Sequence, residues 1–490
     1  MGLAVTTAIL MGGLAIMGCS DDSAQARPRA SSVPETETRA IEELSIDDSD
    51  QARTARESFL DREFALHGLV TGLQLAVRAD PEPEGRIIGW LRIGGRIRLK
   101  TESRRSSTCA SGWYALYPRG WACAGLGIEV GGQPPESELA VAPPSRDAAL
   151  PYEYWYVKDS ATPEFHRLPS RDEQRAAVTF SARYVELLAT DERRAARFLA
   201  GELPTEPTSP TVVNRYLDRG FFLASAGVDV RASRRFVRTV RGRFAKQSQL
   251  IARTGSDFHG VELDDDRQLP VAWMTRSARP RIKREREDGI HFLEDNESEP
   301  IERHTVLESW QERRNIGGTV VHVLEGDRYF LDWYVAVARA IERPREITAD
   351  EPWVHVNLDQ QTLVVYRGDQ PVYATLVSTG LDGFETPTGT FAIRRKYIAD
   401  TMANVGAGLD DRYSIEDVPW TQYFEGSFAL HGAFWHERFG LRRSHGCVNL
   451  SPPDAHRVFD DLRPHVPEGW LGVSADRSGF ETSHVVVTAR

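Results

Sequence analysis

Short apolar stretches separated by glycine-containing turns recur along most of the chain, and they constrain its fold more than any other feature. Val354, Val356 and Leu358 alternate with His355 and Asn357, which predicts a strand with one buried face. Further strands are predicted at residues 363–366, 372–377 and 390–393, and similar short strands at about 80–135 and 216–331. The chain is therefore predicted to be mainly β.

Helical patterns occupy a short part of the middle region. Residues from about 171 to 200 have helical periodicity, and Thr190 is a candidate cap for a second helix that ends at Gly201. The face predicted to be buried carries Val178, Ser181, Val185 and Leu188. The charged run at 279–288 is predicted to be a solvated loop. The region 150–345 is thus a mixture of helix and strand to which no function is assigned.

A second, smaller helix is predicted near the C-terminal end. Ser451 is a good cap, Pro452 fits the first helical position, and Asp454 could complete a capping box. The face predicted to be buried carries Ala455, Val458, Phe459 and Leu462.

The N-terminal residues have the character of an export signal. Leu3 to Met17 is almost entirely small or apolar and is too short to span a bilayer comfortably. The run Ile16-Met17-Gly18-Cys19 resembles the lipobox of bacterial lipoproteins. That resemblance implies a signal peptide over 1–19, a lipid on Cys19, and attachment to a membrane in the cell envelope. A plain secretory signal with an incidental cysteine is the alternative.

The stretch that follows has too few apolar side chains to form a core. It contains no Phe, Trp or Tyr before Phe59 and is rich in Ser, Asp, Glu, Ala and Thr. Such a segment cannot bury enough apolar area to offset the entropy lost on ordering. Residues 20–60 are therefore predicted to be a disordered tether.

Two cysteines lie close together in a segment rich in glycine and aromatic residues. If the protein is exported, Cys109 and Cys123 can form a disulfide; two free buried thiols are the alternative. The segment CASGWYALYPRGWAC resembles the small SH3-like domains found beside bacterial wall enzymes, which implies such a domain at 75–140. Wall-polymer binding and a packing or spacer role are equally compatible with it. The strands at 216–331 could be further, degenerate copies.

Composition excludes some classes of partner. The net charge of −11 lacks the basic excess typical of nucleic-acid binding, so no nucleic-acid partner is expected.

Two short motifs carry the residues suited to chemistry, His431-Gly432 and Ser444-His445-Gly446-Cys447. A cysteine acyltransferase needs a thiol, a base close to it, and donors for the oxyanion. Free cysteine has a pKa near ~8.5 and needs help to react at neutral pH, which a nearby histidine could give. Gly446 leaves room for substrate, and the N–H groups of Gly446 and Cys447 are candidates for an oxyanion hole.

These motifs, with the upstream STG and TPTG pieces, closely resemble the L,D-transpeptidase (YkuD-type) catalytic domain, here over 352–476. The resemblance implies a β-sandwich with a small helix and no cofactor. It implies Cys447 as the nucleophile and His431 as the proton donor and acceptor, oriented by the carbonyl of Gly432. It also implies that His445 and Ser444 line the nucleophile. The implied partners are peptidoglycan stem peptides, as donor and acceptor, and the implied location is the periplasm.

Three alternatives stay open beside a 3→3 crosslinking activity. The acceptor could be water, giving a carboxypeptidase or endopeptidase, or a protein amine, giving attachment of that protein to the wall. The domain could also be a non-catalytic wall-binding module. Finally, His431, His436, His445 and Cys447 could bind zinc, although their spacing matches no familiar zinc pattern.

Overall fold

A computed structural model describes residues 50–136, 139, 141–404 and 412–489. The predicted mainly β fold is confirmed. Cys19 and residues 20–49 of the predicted tether lie outside the described residues. Its last part is helical rather than disordered, since helix α1 spans Asp50–Glu63. No helix in the described part of the chain combines the length and apolar character needed to cross a bilayer.

The first β unit, called the first repeat, spans residues 66–131. Its strands are β1 Leu66–Val70, β2 Gln74–Arg78, β3 Ile87–Arg92, β4 Arg96–Ser106, β5 Cys109–Leu116, β6 Trp121–Cys123 and β7 Ile128–Gly131. These bounds place the unit earlier than the predicted 75–140. A 3₁₀ turn, Ala124–Leu126, precedes the last strand. The Cys109–Cys123 disulfide is present and joins β5 to the end of β6.

Two further units follow, the second repeat (153–253) and the third repeat (271–338). The second contains β8 Glu153–Val157, β9 Thr162–Phe165, β10 Val213–Leu217, β11 Phe222–Arg231, β12 Arg234–Thr239, β13 Phe244–Lys246 and β14 Leu250–Arg253. Strand β15, Val261–Glu262, lies between the two repeats. The third contains β16 Val271–Met274, β17 Arg281–Arg286, β18 Gly289–Glu294, β19 Trp310–Ile316, β20 Thr319–Leu324, β21 Arg328–Leu331 and β22 Val335–Ala338.

The three repeats share one pattern of strand pairing. In the first, β1 pairs with β4 and β7, β2 with β3 and β6, and β5 with β4 and β6. The second repeat has the same six pairings in the same chain order. The third keeps five of them, and a single bridge, Trp273–Val306, replaces the sixth. A 3₁₀ turn precedes the last strand each time. Residues 66–338 thus contain three copies of one fold.

The charged run at 279–288 differs from its prediction. It is mostly strand β17 rather than a loop, although the side chains from Lys283 to Arg286 are exposed. An edge hairpin with β18 accommodates these charges because its outer face is in solvent.

The two helices of the middle region are inserted between β9 and β10. Helix α2, Arg171–Thr190, begins with a capping box in which Ser170 and Glu173 satisfy each other's backbone N–H. Helix α3, Glu192–Leu199, is capped by Asp191, so the predicted cap at Thr190 is wrong. The predicted face of α2 is also wrong by one position. The buried residues are Ala177, Phe180, Tyr184 and Leu187, whereas Val178 and Val185 are exposed.

The C-terminal part, residues 352–488, is called the C-terminal sandwich. Its strands are β23 Pro352–Asn357, β24 Thr362–Arg367, β25 Gln370–Leu376, β26 Gly389–Ala392, β27 Arg395–Ala403, β28 Ser414–Glu425, β29 Phe428–Gly432, β30 Val448–Leu450, β31 Trp470–Ser474 and β32 His484–Thr488. Its helices are α4 Pro452–Asp461 and α5 Ala475–Ser478. One sheet has the order β15-β25-β24-β23-β32-β26. The other contains β27 to β31, and apolar side chains from both sheets form a common core.

Two details of the sandwich differ from the sequence prediction. Strand β23 is buried on both faces, His355 included, because one face packs into the core of the sandwich and the other packs against apolar residues of the third repeat. The capping box at α4 is incomplete: Ser451 accepts from the N–H of Asp454, but the Asp454 carboxylate faces elsewhere. It accepts hydrogen bonds from Tyr373, Thr375 and the N–H of Gly260. The predicted apolar face of α4 is buried as expected.

The first repeat is continuous with the sandwich. Strand β3 pairs antiparallel with β31, with Gly89 opposite Val473. Trp470 packs so closely over Gly89 that a Cβ there would lie 2.2 Å from the indole ring. The apolar residues of the first repeat and of the sandwich belong to one core. The first repeat thus has a packing role, whatever else it binds.

Candidate active site

Two neighbouring parallel strands bring the candidate residues together. His431 lies near the end of β29, and Cys447 immediately precedes β30. In the register of this pair, Leu430 lies opposite Val448 and His431 opposite Asn449. Cys447 therefore lies beside the strand that carries His431.

The Cys447 side chain is only partly exposed. Its thiol donates a hydrogen bond to the carbonyl of Ser427, with Sγ and O 3.7 Å apart. Desolvation raises the pKa of this thiol to about 11, because a thiolate would lose its hydration here. The free residue thus rests as a neutral thiol.

His431 is buried, with 2% of its surface exposed. Its Nδ1 lies 3.3 Å from the carbonyl oxygen of Gly432, an acceptor only, so Nδ1 carries the proton. The other ring nitrogen, Nε2, then has a free lone pair. Burial lowers the pKa of the imidazole to about 4. This orienting role of the Gly432 carbonyl is the one that the family resemblance implies.

The turn before Cys447 depends on Gly446 and Ser444. Gly446 has φ of +109°, and a Cβ there would lie 2.3 Å from the Phe428 ring. The Ser444 hydroxyl accepts from the Gly446 N–H (3.1 Å) and donates to the Cys447 carbonyl (2.5 Å). The Gly446 N–H thus donates to Ser444 in the free protein, and its place in an oxyanion hole stays a prediction. The Cys447 N–H stays a candidate for the oxyanion hole.

His445 differs in environment from His431. Its side chain is exposed, and its ring lies 4.6 Å from that of Phe384 in an edge-on contact. The ring of Tyr413 stacks on it at 6.1 Å. Burial and then the charge of a Cys447 thiolate raise the pKa of Tyr413, so Tyr413 lies near the sulfur as well. His445 and Tyr413 thus form one border of the site.

Several supporting residues were not identified as such from the sequence. The hydroxyl of Thr386 donates to the Gly446 carbonyl (2.8 Å) and accepts from the Gly380 N–H (3.1 Å). Ser378 pairs with Asn449 through two backbone hydrogen bonds. The STG and TPTG pieces contain these residues, so the signal was visible, but the sequence did not indicate what they support.

His436 is structural in this arrangement. The N–H of Arg438 donates to its Nδ1 (3.2 Å), so the proton is on Nε2, which contacts the Asn449 side chain at 2.9 Å. The Asn449 atom facing it must then be the carbonyl oxygen. Across the described ranges, no group of three or more His, Cys, Asp or Glu side chains is placed to hold a metal ion.

Together, a neutral thiol and a neutral imidazole with a free Nε2 lone pair suit general-base chemistry. Both groups are neutral at rest, because burial disfavours the charged form of each.

Comparison with known proteins agrees with the motifs. The family model described as YkuD, L,D-transpeptidase catalytic domain, matches residues 351–469. YciB of Bacillus subtilis, a protein named as an L,D-transpeptidase, is 26% identical over 133 residues, which are 24% of this chain and 66% of that protein. The chain thus spans just under two thirds of that relative's length.

Two solved structures are also similar. An L,D-transpeptidase from Stackebrandtia nassauensis is 25% identical, with a TM-score of 0.22, over 31% of this chain and 59% of that one. An L,D-transpeptidase from Mycobacterium smegmatis is 18% identical, with a TM-score of 0.23, over 55% of this chain and 99% of that one. Residues 351–469 thus match the L,D-transpeptidase catalytic domain of the YkuD family, as the His431 and Cys447 motifs indicate.

Proposed function

We propose that the protein is a peptidoglycan L,D-transpeptidase that forms 3→3 crosslinks by acyl transfer through Cys447. The observation that carries this proposal is the placement of Cys447 beside His431 on adjoining strands, within the segment matched to the catalytic domain. The substrates are stem peptides of the cell wall.

Acyl transfer would run in two steps. Nε2 of His431 takes the thiol proton while Sγ of Cys447 attacks the carbonyl of the third stem residue. The N–H of Cys447 stabilises the oxyanion. His431 then donates the proton to the amine of the departing terminal D-Ala, which leaves a thioester on Cys447. A side-chain amine of another stem attacks the thioester, loses its proton to His431, and releases the free thiol.

The identity of the acceptor distinguishes crosslinking from hydrolysis and from attachment of a protein to the wall. Purified full-length protein would be incubated with isolated sacculi, and the released muropeptides analysed by mass spectrometry. New 3→3 dimers are expected. Tripeptides alone would indicate hydrolysis, and no change at all would favour a non-catalytic wall-binding role.

Cys447→Ala gives the sharpest test of the nucleophile. The variant should lose all crosslinking and keep its melting temperature, because alanine removes the sulfur at little packing cost. Cys447→Ala with full activity would refute the assignment.

His431→Ala should slow thioester formation strongly, since the thiol would then have to ionise without a base.

We also propose export to the envelope and lipid attachment at Cys19. The Cys109–Cys123 disulfide supports export, since such bonds persist in oxidising compartments. Cys19→Ser should move the protein from the membrane fraction to the soluble fraction. A protein with Cys19 intact that already fractionates as soluble would contradict lipid attachment.

A further inference from the structure

A polar cavity of about 540 Å³ lies between the third repeat and the loop that leads from His431 to Cys447. The repeat contributes Thr275, Arg276, Ser277, Glu302 and Arg303, and the loop contributes Arg438. Three guanidinium groups therefore face one cavity in a chain whose net charge is −11. Such a local excess of positive charge favours an anionic ligand.

Two of the three arginines have side chains with no ion-pair partner among the residues that the structure describes, namely Arg276 and Arg438. Arg303 is paired with Glu437, but only loosely, at 3.7 Å. The carboxylate that lines the cavity, Glu302, accepts a hydrogen bond from the Ser277 hydroxyl at 2.6 Å. The two unpaired guanidinium groups come from different units of the fold, so a ligand between them would contact both.

The loop side of this cavity is tied to the candidate active site. The Arg438 carbonyl accepts a hydrogen bond from Ser378 (2.7 Å), and the Arg438 N–H donates to His436 (3.2 Å). Ser378 and His436 both contact Asn449, two residues after Cys447. An anion held by Arg438 would therefore be anchored to the same framework as the nucleophile.

An exposed aromatic residue of the third repeat is linked through its backbone to one of the residues that line the cavity. Trp333, 61% exposed, lies on the 3₁₀ turn of the third repeat, and its carbonyl accepts a hydrogen bond from the Thr275 hydroxyl at 3.2 Å. Exposed tryptophans are enriched in binding surfaces because they offer a large apolar face. Trp333 thus gives the third repeat an exposed apolar surface in addition to its arginines.

We propose that the third repeat and the Arg438 loop form a carboxylate-binding subsite for the stem peptide of a peptidoglycan fragment. This inference rests on the proposed function for its choice of ligand. Arg276 and Arg438 bind a free carboxylate of the stem, and the third repeat is thereby a substrate-positioning unit rather than a spacer. Arginine is suited to this because its planar fork matches a carboxylate.

Direct binding tests the proposal without turnover. Full-length Cys447→Ser protein would be titrated calorimetrically with a soluble disaccharide tetrapeptide. Arg276→Gln and Arg438→Gln should each weaken binding about tenfold or more, as expected for loss of a charge-assisted hydrogen bond. Arg284→Gln, an exposed arginine on β17 of the same repeat, is the matched control and should leave the Kd unchanged. Melting temperatures would confirm that each variant is folded.

Ligand variants identify what is bound. The same fragment with its carboxyl groups amidated should bind at least tenfold more weakly to the Cys447→Ser protein. Inorganic phosphate that binds as tightly as the fragment would overturn the stem-peptide assignment in favour of a phosphate polymer. Unchanged affinity in both Arg276→Gln and Arg438→Gln would overturn the subsite itself.

Turnover by the protein with Cys447 intact separates the two proposals. In that protein, Arg276→Gln should raise the KM for the donor fragment with little change in kcat. Crosslinking with normal KM in both arginine variants would sink the subsite and leave the transpeptidase assignment standing. Binding that depends on the two arginines, without any turnover, would support the subsite and contradict the transpeptidase assignment.

Discussion

At the scale of single residues, Cys447 and His431 are both neutral at rest, unlike the members of a thiolate–imidazolium ion pair. Burial lowers the pKa of His431 to about 4 and raises that of Cys447 to about 11, so both groups are uncharged between these values. The protonated imidazole, which cannot act as a base, forms only below about pH 4. The free thiolate forms only above about pH 11.

The rate of Cys447 acylation by the donor stem peptide should therefore be flat from about pH 6 to pH 9. It should fall to half near pH 4, where His431 becomes protonated, rather than near the usual histidine value of 6.5. Mass spectrometry of the adduct at each pH measures the rate, and circular dichroism checks that the fold persists in acid. A rate that halves near pH 6.5 would show that His431 is not the buried neutral base described above.

The glycine before the nucleophile gives a second prediction at this scale. Gly446→Ala should abolish acylation and destabilise the protein by roughly 1–3 kcal/mol, through its positive φ and the clash with Phe428. Gly383→Ala is the matched control: its φ is also positive (+86°), but a Cβ there meets nothing within 4 Å. The difference between the two variants in the free energy of unfolding, measured by urea denaturation, gives the contribution of the clash with Phe428. Equal effects would mean that the clash is relieved by movement of Phe428.

At the scale of elements, the disulfide acts on the first repeat alone. It closes a loop over a sequence separation of 14 residues, which corresponds to about 3 kcal/mol on the chain-entropy account. Cys109→Ala combined with Cys123→Ala should lower the free energy of unfolding, measured from the urea unfolding transition, by about that amount. Turnover below that transition should change little, because neither cysteine contacts the site. A large loss of turnover at unchanged stability would contradict a purely structural role.

The elements also show what sequence patterns can and cannot predict. The buried face of α2 was predicted one residue away from the observed one, because the predicted and the observed faces both carry apolar residues. A shift of one residue turns the face by about 100°. Phe180 and Tyr184, not the valines, are buried. The Cys447 turn was predictable because its motif is local. The hydrogen bond from the Gly446 N–H to Ser444 was not, since that depends on where the Ser444 hydroxyl points.

The threefold repeat is the largest feature that sequence patterns indicated only weakly. Its copies agree in strand pairing and in the 3₁₀ turn, and these depend on backbone hydrogen bonds that many apolar sequences can form. Strand β32 was missed because its partner, β23, lies far away in sequence.

At the scale of the whole molecule, a buried charge network joins the first and second repeats to β28. Arg92 of the first repeat and Arg241 of the second both bind the carboxylate of Asp417, at 2.8 and 2.7 Å. Arg215 extends the network by bridging Glu416 and Glu164. Asp417 is 1% exposed, so its charge is acceptable only because two arginines compensate it.

Asp417→Asn should therefore destabilise the protein by about 3–5 kcal/mol, because it leaves Arg92 buried without a carboxylate partner and leaves Arg241 with Glu416 alone, at 3.4 Å. Glu425→Gln is the control. Its pair with Arg394 has a similar distance, 2.8 Å, but side chains that are 38% and 50% exposed, and its loss should cost less than about 1 kcal/mol. Both are measured by urea denaturation followed through tryptophan fluorescence. Replacing Arg92 by methionine in the Asp417→Asn protein should recover part of the loss, since the uncompensated charge is then gone. If Asp417→Asn proves as mild as Glu425→Gln, the repeats are held to the sandwich by their apolar core alone.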